Sequence, residues 1–180
     1  MITKEITIDS ERIYEGAILN LRRDTVTVKN GKTAYREIIE HNGAVALIAV
    51  TDDEKIIMVR QYRKACESEL LEIPAGKIDK GEDAFNSAVR ELKEETGYTA
   101  ENIKLLTKVY VSCGYSQEQI SIYLCTGLTP GETVFDEDED LEIYEIPLKE
   151  LYDMCMNGEI VDSKSIVGIL MAKEILDADR

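Results

Sequence analysis

The segment from Glu82 to Thr96 constrains the fold most, because it combines helical apolar spacing with a cluster of glutamates. Apolar residues recur there at the spacing of one helix face, and Gly97 stands where a helix commonly ends. We therefore predict an amphipathic helix over residues 82–96. Its predicted apolar stripe consists of Ala84, Phe85, Ala88, Val89 and Leu92.

Three glutamates of this helix, Glu91, Glu94 and Glu95, fall on one arc of roughly 100° beside the stripe. Glu91 and Glu95 are four residues apart, so their carboxylates can converge on one ion. A glutamate-rich helix alone is more often a solvated acidic face. Here the preceding loop, Pro74-Ala75-Gly76, contains a glycine that lets backbone approach a ligand. The combination favours a metal site.

The other ligand types indicate which metal would bind. The four cysteines lie far apart without a CxxC pair, and His41 is the single histidine. This pattern argues against a zinc site. Carboxylate and carbonyl oxygens select a hard cation, which means Mg²⁺, Mn²⁺ or Ca²⁺.

The first 40 residues read as short strands around a hairpin turn at Asn30-Gly31. A second sheet is predicted to begin with residues 44–50 and to continue, after an acidic turn, with residues 56–62. Further strands are expected at 104–112, 119–126 and 142–146, and further helices at 147–157 and 164–178. The pattern predicts an α+β or layered α/β/α fold, with an N-terminal β-sheet region (1–42) and a main domain (43–180).

Charge and hydropathy restrict the partners. The net charge of −15 repels both a nucleic-acid backbone and an anionic membrane, so neither is an expected partner. No apolar run approaches the roughly 20 residues that cross a bilayer. Residues 1–8 lack the basic start and apolar block of a signal peptide, so we expect a cytoplasmic protein.

The whole segment, Gly76-x5-Glu82-x7-Arg90-Glu91-Leu92-x-Glu94-Glu95-x-Gly97-Tyr98, resembles the Nudix box, with Tyr98 where a bulky aliphatic residue is usual. The resemblance implies a layered α/β/α Nudix sandwich that hydrolyses nucleoside diphosphates linked to another moiety. It also implies Mg²⁺, with Mn²⁺ as an alternative, and water attack at phosphorus. The implied ligands are the Ala75 carbonyl, Glu91 and Glu95. Glu94 is implied to lie close in the inner or water-bridged shell, and Arg90 is expected to hold Glu91 or Glu82.

Motifs outside the box are similar to those of the ADP-ribose pyrophosphatase branch. They include Tyr14-x-Gly16, Gln61-Tyr62-Arg63 and Leu71-Glu72-Ile73-Pro74. This similarity implies cleavage of ADP-ribose to AMP and ribose 5-phosphate by a homodimer with exchanged N-terminal strands. Arg36 and Arg63 would grip the ADP half. The loop with Ser112, Gly114 and Glu118 would face the distal ribose.

The acidic run Asp136–Asp140 is, on composition, a solvated loop. Branch members place an acidic loop over the metal site at this point, which makes Glu137 the candidate base and Glu139 a candidate ligand. Glu118 stays open as the alternative base. Cys113 stands where the branch commonly has a proline, and Ala17 and Ile18 stand where some relatives stack aromatic rings on adenine.

Three alternatives follow for the function. The same chemistry can act on another nucleoside diphosphate sugar, such as a GDP- or UDP-hexose, or on a dinucleotide. The fold can also serve a non-catalytic nucleotide-sugar sensor, although such a protein should have lost helix carboxylates. An acidic scaffold that mimics nucleic acid would need no metal and does not account for the box.

Overall fold

The computed structural model describes residues 2–133 and 140–178. Within them no helix is long and apolar enough to cross a membrane. The described chain forms ten strands and three helices, which are β1 (Ile6–Glu15), β2 (Asn20–Thr27), β3 (Thr33–Glu40), β4 (Ala44–Ala49), β5 (Lys55–Arg63), β6 (Ser68–Glu72), β7 (Ala75–Lys77), α1 (Ala84–Thr96), β8 (Thr99–Tyr110), β9 (Gln119–Thr129), β10 (Glu142–Pro147), α2 (Leu148–Asn157) and α3 (Ser163–Ala178).

The chain divides into two compact units, and the first comprises the residues up to Gly43 together with Tyr110–Gln119. Its sheet is antiparallel in the order β1-β2-β3. Gly31 has a φ of 70° in the turn between β2 and β3, as the Asn-Gly signal predicts. The sequence prediction places the segment Tyr110–Gln119 in the main domain, whereas in the structure it belongs to the first unit. It joins this unit because Ile39 N–H donates to the Tyr115 carbonyl at 2.7 Å.

The second unit contains two sheets, in the orders β7-β4-β9-β8 and β10-β5-β6. The first sheet is mixed, since β4 pairs with β9 in parallel and with β7 antiparallel. The prediction that residues 44–50 and 56–62 continue one sheet is wrong, because β4 and β5 belong to different sheets. A single bridge between Val50 and Ile56 links their ends.

Side chains of β4 alternate between two apolar cores, which makes the unit layered. Ala46 and Ile48 belong to one core, where α2 and α3 contribute Leu151 and Ile169, among other residues. Val45, Leu47 and Ala49 belong to the other core, which α1 completes with Ala88 and Leu92. Helices therefore cover both faces of the mixed sheet, and the predicted α/β/α layering with a small N-terminal antiparallel sheet is confirmed.

Helix α1 ends at Thr96 as its sequence predicts, but it begins at Ala84, two residues after the predicted start. The Asp83 carboxylate accepts the backbone N–H groups of Phe85 and Asn86, and Gly97 ends the helix with a φ of 75°. The predicted apolar stripe is wrong in part, since Phe85 and Val89 are 49% and 42% exposed. The face that packs against the unit also carries buried polar side chains, which are Ser87, Glu91, Glu95 and Thr96.

Candidate active site

The carboxylate of Glu91 lies directly on the backbone of β7 at Gly76. A Cβ atom added at Gly76 would meet the Glu91 carboxyl carbon at 1.9 Å and its oxygens at 2.0 and 2.3 Å. Glu91 is 8% exposed, so this carboxylate is held against the strand rather than extended into solvent. Gly76 is thus required because its missing side chain leaves the space that the carboxylate occupies.

The second carboxylate of the pair binds the same strand. Ala75 N–H donates to Oε2 of Glu95 at 2.8 Å, and Glu95 is 3% exposed. Strand β7 is itself fixed by antiparallel pairing with β4, in which Ala75 lies opposite Ala46 and Gly76 opposite Val45. The sheet and α1 therefore bring together the carboxylates of Glu91 and Glu95 and the backbone of Ala75 and Gly76.

Arg90 connects the glutamates of this region. Its Nη1 donates to Glu91 Oε1 and to Glu94 Oε2, each at 2.8 Å. On its other edge, Nε and Nη2 donate to the two oxygens of Glu82 at 3.1 and 3.0 Å. We expected Arg90 to contact Glu91 or Glu82, and in the structure it donates to both.

These bonds shift the protonation equilibria in a consistent direction. Hydrogen bonding from Arg90 lowers the pKa of Glu82 to about 2, and the bond to Glu82 is the largest contribution that raises the pKa of Arg90. One guanidinium charge faces three carboxylates, those of Glu82, Glu91 and Glu94. The surplus of negative charge around β7 favours a cation.

The donor set fits a hard divalent cation. Buried carboxylate oxygens and the backbone of an adjacent loop are ligand types that Mg²⁺ and Mn²⁺ prefer, and no cysteine or histidine takes part in these contacts. Across residues 2–133 and 140–178, no three acidic, cysteine or histidine side chains gather into a complete metal-binding group. Two expected site residues, Glu137 and Glu139, lie outside the described residues.

Arg63, which is predicted to grip the ADP half of the substrate, lies at the end of β5. Its Nε and Nη2 donate to the two oxygens of Glu72, each at 2.7 Å. The Glu72 bond is the largest contribution that raises the pKa of Arg63, and the charge of Glu95 also raises it. The guanidinium is therefore within electrostatic reach of a candidate metal ligand.

The remaining predicted substrate residues belong to the N-terminal unit. Arg36 donates to the carboxylate of Glu5, with an Nε–Oε2 distance of 2.9 Å, and its Nη1 donates to the Tyr35 carbonyl. Within the loop, Tyr115 and Ser116 N–H donate to the Ser112 carbonyl, and Glu118 N–H donates to the Ser116 hydroxyl. A Cβ at Gly114 would meet no atom within 4 Å, so the loop is open to a ligand at that position.

Comparison with protein families agrees with the geometry around β7 and α1. A family model described as "NUDIX domain" matches residues 40–166. The chain belongs to the NUDIX family. A second model, described as "Nucleoside diphosphate sugar hydrolase N-terminal domain", matches residues 5–39 of this NUDIX protein.

Individual relatives match nearly the whole chain. An ADP-ribose pyrophosphatase of Bacillus subtilis is 42% identical over 98% of both chains. A methanol dehydrogenase activator of Bacillus methanolicus is 43% identical over 92% of this chain and 91% of its own. A crystal structure titled as an ADP compounds hydrolase shares the fold, with a TM-score of 0.87, 24% identity and coverage of 99% and 97%.

Sequence reasoning missed one charged cluster in this NUDIX domain. The branch motif contains Glu72 without assigning it a role, and the sequence pattern places Lys164 only at the start of a helix. The structure joins them, because Lys164 Nζ donates to Glu72. A signal was present, since Glu72 interrupts an apolar run between Leu71 and Ile73.

Proposed function

We propose that this NUDIX protein hydrolyses the diphosphate bond of ADP-ribose in a Mg²⁺-dependent reaction, with Mn²⁺ as an alternative cation. The main observation that supports this proposal is the pair of buried carboxylates, Glu91 and Glu95, which pack on the backbone of Gly76 and Ala75. The named activity of the Bacillus subtilis relative supports ADP-ribose as the substrate.

Each residue of the site has a proposed part in the chemistry. Glu91, Glu95 and the Ala75 carbonyl, with Glu139, would hold the cation, which would supply positive charge to neutralise the diphosphate oxygens and polarise phosphorus. Glu94 would contribute a carboxylate close to the cation, directly or through water. Arg90 fixes Glu91 and Glu94 by hydrogen bonds, so that both carboxylates are in place before substrate binds.

The reaction itself is a displacement at phosphorus. A water oxygen forms the new bond to phosphorus, while the bond to the bridging oxygen breaks and releases AMP and ribose 5-phosphate. Glu137 accepts the proton of the water as general base, with Glu118 as the alternative. Arg63 and Arg36 bind the ADP half, since a guanidinium can bind phosphate with two parallel hydrogen bonds. Ser112, Gly114 and Glu118 contact the distal ribose.

The test is hydrolysis of ADP-ribose by purified protein with Mg²⁺, followed by separation of AMP and ribose 5-phosphate. Turnover in H₂¹⁸O identifies the attacked phosphorus, because the label enters only one product. Glu95→Gln is the matched variant, since its amide oxygen can still accept the Ala75 N–H while it lacks the charge for a cation. Indifference of the wild-type protein to ADP-ribose would overturn the proposed substrate.

Hydrolysis rates over a panel of substrates distinguish ADP-ribose from other compounds that the same chemistry could cleave. The match of residues 5–39 to a nucleoside diphosphate sugar hydrolase domain supports testing GDP- and UDP-hexoses, and dinucleotides complete the panel. Faster hydrolysis of one of these compounds would identify it as the preferred substrate and would leave the proposed metal ligands unchanged. Full nucleotide binding without turnover on any substrate would favour the non-catalytic sensor.

A second candidate function comes from the Bacillus methanolicus relative, whose name describes activation of methanol dehydrogenase. Its identity to this chain is as high as that of the pyrophosphatase. We would measure methanol dehydrogenase activity with and without this protein. Stimulation by wild type but not by Glu95→Gln would show that activation requires the hydrolytic site.

We also propose a homodimer formed through the N-terminal sheet, with exchanged N-terminal strands. All ten residues of β1 are exposed, and they include Ile6, Ile8 and Ile13. A long exposed strand with apolar side chains is commonly covered by another chain.

The exposed, unbridged cysteines agree with a reducing compartment, and we propose a cytoplasmic location.

Sedimentation at micromolar concentration tests the dimer. The double variant Ile6→Lys/Ile8→Lys should sediment as a monomer, because two charges would have to be buried in the interface. Met156→Lys is the matched control, since Met156 is an exposed apolar residue of α2. A monomeric wild-type protein would contradict the proposal.

A further inference from the structure

A buried cluster of charges lies behind Arg63, outside the carboxylates that would hold the cation. Arg63 and Lys164 both donate to Glu72, and Lys164 also donates to Asp162 Oδ2 at 3.0 Å. Glu72 is 1% exposed and Lys164 is 7% exposed. The four side chains form a row of consecutive ion pairs in the order Arg63–Glu72–Lys164–Asp162. The row contains two positive and two negative charges, so its net charge is zero.

The far end of this cluster is anchored to the backbone. The Asp162 carboxylate accepts the N–H of Ser165 at 3.0 Å and so caps the first turn of α3. The Ser165 hydroxyl in turn accepts the N–H of Ile73 at 2.8 Å, next to Glu72 in the chain. The start of α3 is therefore fixed to the segment that leads from Glu72 to the loop before β7.

The near end of the cluster fixes the orientation of a guanidinium. Glu72 accepts two parallel bonds from Nε and Nη2 of Arg63, which leaves Nη1 outside this bidentate contact. Burial raises the pKa of Glu72, but the bonds from Arg63 and Lys164 outweigh it, so the net shift is downward. Glu72 is consequently ionised and a constant acceptor at neutral pH.

We propose that Glu72 and Lys164 are positioning residues, which hold the Arg63 guanidinium in the orientation that binds a phosphate of the nucleoside diphosphate. Lys164, itself held by Asp162, keeps the Glu72 carboxylate in place, and Glu72 orients Arg63. This inference rests on the proposed function only in the choice of substrate. Its chemistry applies to any nucleoside diphosphate that the enzyme cleaves.

A structural role alone would make different predictions from a positioning role. Loss of orientation raises KM and the substrate Kd while kcat stays nearly constant, because the affected interaction is made in both ground and transition states. Loss of packing lowers stability and does not select KM. The two roles also differ in whether the effect disappears once Arg63 is removed.

The experiment compares Glu72→Gln, Lys164→Met and Lys164→Arg with wild type. Glu72→Gln should raise KM for ADP-ribose about tenfold, the order expected for a charge-assisted hydrogen bond, with kcat changed less than about twofold. Lys164→Met should raise KM by a smaller factor. Lys164→Arg should keep KM near the wild-type value, because it retains the positive charge that pairs with Glu72. Lys173→Met is the matched control on α3, because Lys173 pairs with Asp177 and stacks on Tyr152 instead. Calorimetric Kd values for ADP-ribose in EDTA should follow the same order.

The decisive comparison is made in an Arg63→Ala background. Glu72→Gln should there add no further increase in KM, since there is no guanidinium left to orient. An equal increase in both backgrounds, or a loss of stability with unchanged KM and Kd, would overturn the proposal. If Glu72→Gln does not fold, the neutral pair Glu72→Gln/Lys164→Met serves in its place, because no charge of the pair is then left buried alone.

Failure of the proposed substrate would appear in a different measurement. It would be seen in wild type, as absence of ADP-ribose turnover, before any variant is compared. The same variants are then measured with the panel substrate that wild type cleaves fastest. The positioning role is then decided with that substrate, by the KM and Kd of the Glu72 variant and by their dependence on Arg63.

Discussion

Gly76→Ala should separate activity from stability, because it acts on a single carboxylate. The added Cβ would lie 1.9 to 2.3 Å from the carboxyl atoms of Glu91, whereas ordinary van der Waals contact begins at 3.4 Å. The carboxylate must therefore move by about 1 to 1.5 Å. Gly76 does not have a positive φ, so alanine adds no backbone strain there. The displaced side chain should cost about 0.5–1.5 kcal/mol in an unfavourable rotamer.

A displacement of about 1 Å at a proposed ligand of the cation corresponds to roughly a hundredfold loss of rate. We therefore expect kcat/KM to fall about 10²-fold, while the midpoint of thermal unfolding falls by only about 1–6 °C. The assay is initial rate against Mg²⁺ concentration, with calorimetry on the same samples. The half-saturating Mg²⁺ concentration should rise.

Gly168→Ala is the control for this comparison. Its Cβ would meet Ile48 Cδ1 at 2.8 Å, so it perturbs core packing without touching the carboxylates. Its stability should change while its Mg²⁺ dependence stays that of wild type. Wild-type activity and Mg²⁺ dependence in Gly76→Ala would refute the argument that the Gly76–Glu91 contact positions a metal ligand.

Three further outcomes follow. Glu95→Gln should lose at least about tenfold in activity while keeping the wild-type unfolding midpoint; an unaltered Mg²⁺ titration would contradict its role as a ligand. Arg90 lowers the pKa of Glu82 from 4.5 to about 2, so this pair stabilises the fold above pH 4.5 and the contribution is lost as pH falls to about 2. The free energies of unfolding of wild type and Glu82→Gln, measured in urea, should therefore differ at neutral pH and become equal as the pH falls from 4.5 to about 2. A difference that does not change with pH would contradict a stabilising ion pair between Arg90 and Glu82. Burial raises the pKa of Cys125 to about 12, so Ellman's reagent should modify the exposed Cys66 and Cys113 in the native protein and Cys125 only after unfolding.

Local signals predicted the helix that carries the site. The stop at Gly97 and the spacing of Glu91 and Glu95 depend on neighbours within one or two turns, so they are readable from residue order. The cap at Asp83 is seen only in the structure, and the predicted start at Glu82 lies two residues too early. The short strands β6 and β7 were missed because five and three residues carry too little periodicity.

Interactions between distant segments were not readable in the same way. The apolar runs of β4 and β5 show that both strands are buried, but nothing in them specifies their partners, and each joined a different sheet. Phe85 and Val89 match the helical stripe and are nevertheless exposed, because buried Glu91 and Glu95 turn the helix toward β7. The bond from Lys164 to Glu72 spans 92 residues, so it became visible only in the fold.

The contacts of Arg90 bear on how a cation would enter and leave the protein. Carboxylates crowded on one helix face would repel each other, but the guanidinium already satisfies Glu82, Glu91 and Glu94 within the chain. We therefore expect helix α1 to stay folded without an added ion, in contrast to small metal-folded domains. Chelation should then stop turnover reversibly and leave the circular dichroism unchanged. The fraction of working enzyme would follow the free divalent cation concentration of its surroundings at each moment, and not the history of its folding.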